Sequence, residues 1–174
     1  MKFNFENLEQ ARKLMVEEIK SDINTGRLYP SKRFNENGHR LYPKIFIESV
    51  EKGDEQLLAE ALDANNCFAE KEERNTKNGI ILVKVRADAS RVFAEGEFNR
   101  FYLRALALIA LQNGQSLQIY RARHSENPRP ESEMLIGQMI GPKALLDDLR
   151  NNIGVDTVLG LPQGPNSGLT AKLV

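Results

Sequence analysis

Residues 89–113 read ASRVFAEGEFNRFYLRALALIALQN, and the fold turns on how this stretch is taken. Asp88 is placed to cap a helix starting at Ala89-Ser90-Arg91, because its carboxylate can accept from a free amide of the first turn. Gly96 interrupts the pattern, so either two helices meet there or one helix bends there. From Glu97 the helical spacing carries on to Leu111 and stops at Asn113-Gly114, where glycine can take the left-handed conformation that ends a helix. The final turns are apolar on nearly every side. Such a helix must be enclosed by the rest of the protein, so this segment is expected to be the most buried helix.

On its N-terminal side, Gly79-Ile80-Ile81-Leu82-Val83-Lys84-Val85 is short, β-branched and bounded by turn residues, which predicts a strand central in a sheet. The run before it, AEKEERNTKN at 69–78, is the most polar in the chain and predicts a surface loop or helix end at the main internal boundary. On the C-terminal side, residues 117–123 alternate in polarity and predict a second strand, which Pro128-Arg129-Pro130 ends. Residues 134–140 fit a strand with a glycine bulge or a short helix. Pro142 then starts a helix over 143–150 with Leu145, Leu146 and Leu149 inward. Two extended segments, 157–161 and 168–174, flank the turn-rich 162–167.

The first 65 residues are mainly helical. Leu8, Ala11, Leu14, Met15, Ile19 and Ile23 make an amphipathic helix over 6–23, ended by Asn24-Thr25-Gly26. Residues 27–43 contain Pro30, Gly38 and Pro43 and are expected to be irregular, pinned by Tyr29, Phe34 and Tyr42. Short helices follow at 44–50 and 54–64. The expected class is α+β. A helical portion, 1–76, packs on an α/β core, 77–174, in one compact unit. From residue 79 the order is strand, helix, strand, helix, strand, strand, giving a small mixed sheet with two helices.

The chain has 174 residues, near the size of one domain, and one cysteine, which excludes an internal disulfide framework and any Cys-rich zinc site. The polar N-terminus predicts no targeting segment, and the longest apolar run, 103–111, contains Arg104 and is too short to span a bilayer. A cytoplasmic location without membrane contact is expected. The 24 basic residues balance 24 acidic ones, but the balance is segregated: residues 1–76 carry −3 and 77–174 carry +3. Within 77–129 the charge is +5, and seven of nine cations are arginine, whose planar fork suits carboxylates and phosphates.

Two constellations follow from that arginine bias. On a helix, Glu97, Arg100 and Arg104 share one face, and Arg104 lies among Leu103, Leu106, Ala107 and Leu108. A charge so placed requires a partner: Glu97, a carboxylate from the N-terminal half, or an external anion. Phe98, Phe101 and Tyr102 read as core. In the second constellation, Arg121 and Arg123 project from one face of a strand beside a turn that adds His124 and Arg129, an arrangement that could cradle an anion. Glu126, Glu131 and Glu133 lie close enough to complete internal pairs instead. The glycines around Asn166-Ser167 lack the lysine and the strand-to-helix step of a nucleotide loop and read as a hairpin turn.

Standard catalytic sets are mostly missing, which leans the reading away from an enzyme without a reaction class to prefer. His39 and His124 stand alone, Cys67 has no histidine nearby in sequence, and Asp147-Asp148 point about 100° apart on a helix. No metal site or cofactor is expected. The leading expectation is a non-enzymatic assembly or interaction protein, working as a homo-oligomer or particle component, with Leu173-Val174 as an apolar tail for a neighbouring subunit. The alternative is a protein that binds nucleic acid or a phosphorylated ligand through Arg100, Arg104, Arg121, Arg123 and Arg129.

Overall fold

The structure is a computed structural model and describes residues 2–162 and 167–174. The central helix runs without a break from Ala89 to Asn113, and Gly114, at φ +64°, closes it. We number it α4. It packs against α1 (Leu8–Asn24), α3 (Glu55–Ala64), α6 (Pro142–Asn151) and β5 (Leu169–Leu173). Elements of both charge halves therefore close over one helix. Phe98, Phe101, Tyr102, Leu103 and Leu106 are fully enclosed, each worth roughly 1.5–3 kcal/mol of burial. Asp88 makes no side-chain cap to this helix; its carboxylate is held by Arg86 and Arg91 instead.

The class is α+β: the described residues form six helices, the first three of which make up the helical N-terminal part, and two small sheets. Both sheets are antiparallel, so the mixed sheet expected from the strand–helix alternation gives way to a simpler pattern. The three-stranded sheet has the order β4 (Met139–Ile140), β3 (Leu117–Arg121), β5. β3 returns into β4 through the single short helix α5 (Pro130–Leu135), and β5 lies antiparallel on its other side, with Leu117 opposite Leu173 and Arg121 opposite Leu169. Leu173 therefore belongs to the sheet and Val174 exchanges hydrogen bonds with Ser116, its side chain half exposed.

Other segments differ from expectation. The helix expected at 44–50 is α2, Glu36–Lys52. Asn35 caps it by accepting from the Gly38 amide, and burial of Tyr42, Phe46 and Val50 outweighs the hydrogen bond that Pro43 removes from the interior. Asp54 caps α3, accepting from the Gln56 and Leu57 amides. Residues 157–161 form a turn, not a strand. The Asp148 carboxylate accepts from the Val158 and Leu159 amides at 2.9 and 2.7 Å and fixes the chain there in a bent form. The hairpin turn expected around Asn166 falls on residues 163–166, outside the described residues.

The largest correction concerns residues 69–85. Among the described residues Gly79–Lys84 (β2) pairs only with Lys71–Thr76 (β1), the polar run expected to be a surface loop or helix end, and the two make a two-stranded hairpin. Thr76 shapes the turn, its hydroxyl donating to the Gly79 carbonyl and accepting from the Asn78 amide. β2 is therefore not a central strand.

Candidate functional site

The five arginines singled out by the sequence do not converge on one surface. Arg104 enters the gap between α4 and α1, where its Nη1 and Nη2 donate to the Asp22 carboxylate at 2.6 and 2.9 Å and its Nε donates to Glu18 at 2.7 Å. Its guanidinium also lies 4.5 Å from the Phe101 ring centre. Arg150 from α6 donates to the same Glu18. Burial drives the Glu18 carboxyl upward, but Arg150 and Arg104 outweigh it and hold the group below its ordinary value. Of the three partners open to Arg104, the carboxylates of the N-terminal half are the ones it meets.

Arg100, equally buried, donates to the backbone carbonyls of Asn152 and Val155, and its Nε stands 3.5 Å from Glu97 without hydrogen-bond alignment. Arg121 donates to the Ser167 carbonyl and to Glu133. Arg123 lies over the Phe3 ring with Nη2 3.4 Å from Glu95, close enough for attraction but not aligned for a hydrogen bond. Arg129 is exposed and pairs with no carboxylate among the described residues.

Beside this network lies a cavity of about 420 Å³, walled by Phe3, Tyr29, Val92 and the Glu95-Gly96-Glu97 segment of α4, and roofed by the chain after α6. Gly154 allows that roof to close: its φ is +68°, and a Cβ there would lie 2.4 Å from the Tyr29 ring. Burial pushes the Glu97 carboxyl up to about 7 despite the nearby Arg100. Glu55, on α3, is likewise pushed up to about 7 by burial; one oxygen accepts from the Phe3 amide at 2.7 Å and the other has no partner. Among the described residues no three His, Cys, Asp or Glu side chains gather to hold a metal ion, and no helix is long and apolar enough to cross a membrane.

The feature that sequence reasoning missed is the hairpin. Ile80, Ile81 and Leu82 are 66, 47 and 68% exposed, three consecutive large aliphatic side chains on one strand. Ile80 and Leu82 share one face; Ile81 and the half-buried Val83 share the other. The two outer edges differ in chemistry. β1 presents Lys71, Glu72, Glu73 and Arg74, the charged residues that discourage strand addition, whereas β2 presents only aliphatic side chains until Lys84. Asn78-Gly79 after a polar run and before a β-branched one is the sequence signal that could have found it.

No protein-family model matches the chain, and comparison with the curated proteins and with the solved structures finds no similar protein.

Proposed function

We propose that this chain is a non-enzymatic assembly protein that joins a second copy of itself through the outer edge of β2. The observation that carries the reading is the exposed Ile80-Ile81-Leu82 run on a strand paired along one side only. An isolated two-stranded hairpin is marginal in water, and an aliphatic strand edge without guarding charge favours addition of another strand. A second copy of β2 suits that edge. Antiparallel pairing about a two-fold axis at Ile81 sets Ile80 opposite Leu82 of the second copy, and Lys84 opposite its Asn78, so no like charges meet. The arginine reading has less support, since Arg100, Arg104, Arg121 and Arg123 each already face internal acceptors.

One strand edge is small beside the roughly 1,200–2,000 Å² of a standard interface, so association in the micromolar range is expected. Sedimentation equilibrium across that range should show a monomer–dimer equilibrium. The double substitution Ile80→Glu with Leu82→Glu should leave a monomer with an unchanged circular-dichroism spectrum. A wild-type chain that stays monomeric at every concentration tested overturns the reading.

A further inference from the structure

Gly96 lies in the middle of a 25-residue helix, where glycine costs about 0.8–1.0 kcal/mol relative to alanine. Helix packing does not demand it, because a Cβ at this position would meet no atom within 4 Å. The space it leaves is part of the cavity beside α4. Its neighbour Glu97 is a buried carboxylate that lines the same cavity and whose ion-pair partner, Arg100 Nε at 3.5 Å, is not aligned for a hydrogen bond. A buried carboxylate left in that condition costs free energy unless a donor reaches it.

We propose that this cavity binds a small organic cation, an amine or guanidinium head on an apolar body, with Glu97 accepting from the head. The other polar groups support that sign of charge. Arg100 is the cationic side chain in the wall, but Nη1 and Nη2 are committed to the Asn152 and Val155 carbonyls and Nε faces Glu97, so little remains to receive an anion. Glu95 is committed to Arg91 and Arg123. Asn99 is committed to Leu169 and Thr170. Asp156, exposed at the rim, adds a further carboxylate. Phe3, Tyr29, Val92 and Val155 provide apolar and aromatic walls. The volume is within the usual range for small-molecule sites, roughly 300–1,000 Å³. Burial of Glu97 adds to the case, since desolvation raises its carboxyl to about 7 even against the opposing pull of Arg100.

Calorimetric titration of the whole chain with phenethylamine and with agmatine tests the site, with 2-phenylethanol and 3-phenylpropionate as neutral and anionic controls. At least one amine should bind saturably while both controls do not. Glu97→Gln should weaken that binding by about tenfold or more. Gly96→Leu, whose side chain fills the cavity, should abolish binding without lowering the melting temperature. The Ile80→Glu and Leu82→Glu substitutions should leave binding intact, which separates this site from the association at β2. The proposal is overturned if neither amine saturates, if a control binds as well as the amines, or if Gly96→Leu binds like the wild type. Should Glu97→Gln fail to fold, Gly96→Leu still decides the outcome.

Discussion

Arg104 is the residue on which the two charge halves meet. Truncation to alanine would leave Glu18 and Asp22 buried, with Glu18 kept only by Arg150 and Asp22 without its bidentate partner. Breaking a buried pair in this way typically costs about 3–5 kcal/mol, so Arg104→Ala should lower the urea midpoint by a large step. Arg104→Lys should recover only part of it, because an ammonium cannot serve both carboxylates in the guanidinium's planar geometry. The need for a partner was legible from the apolar neighbours of Arg104, but not which partner, since that depends on how α1 is set against α4. Glu55 and Glu97 make a second prediction at this scale. Both folded-state values lie near 7, above the roughly 4.3 of an unfolded glutamate, so the folded chain holds protons that the unfolded chain releases between those values. Their contribution is complete at low pH and is lost as pH rises through about 7. Glu18, with its lowered value, acts in the opposite sense and loses its contribution as pH falls. Urea unfolding over that range should therefore show a shallower decline with rising pH in Glu97→Gln and in Glu55→Gln than in the wild type; equal slopes would refute the assignment.

Helix α4 was readable because its helical spacing runs on to Leu111 with final turns apolar on nearly every side, too short and too charged for a bilayer and so a helix for the core. β2 was not, because Ile80 to Val83 has the composition of a buried parallel strand, and residue type does not reveal how many neighbours a strand will find. The polar β1 was hidden for the complementary reason: Lys71 to Thr76 holds its place through backbone pairing to β2, with no apolar alternation to betray it. Since Ile80 and Leu82 are exposed, replacing both with glutamate should shift the unfolding free energy by about 1 kcal/mol in total, part of it from the new charge opposite Glu73, while changing association. The Asp148 turn makes a different prediction. Asp148→Ala removes the acceptor of the Val158 and Leu159 amides, and hydrogen exchange at those two positions should accelerate while the amides of α4 keep their protection.

At the scale of the molecule, the segregation of charge along the chain is resolved in part by folding, at a few ion pairs that join the two halves. Arg104 and Arg150 from the basic half meet Glu18 and Asp22 of the acidic half, and Lys172 meets Glu6. A protein whose arginines are used in this way should show no steeply salt-dependent binding to DNA or RNA, and a gel-shift titration at low and moderate salt checks that directly. The overall class was legible because it rests on helix periodicity and on the change of texture near residue 79. The cavity was not, because its walls come from the N-terminus, the chain around Tyr29, α4 and the segment after α6, which only the packed molecule brings together.

The unequal chemistry of the hairpin's two edges also sets how far association can run. Two copies joined along β2 as proposed would form a four-stranded sheet whose rims are both β1, studded with Lys71, Glu72, Glu73 and Arg74. Neither rim would invite a third copy. Such a reaction would be self-limiting at a closed pair and protected from the runaway growth into fibrils that an aliphatic strand edge otherwise threatens.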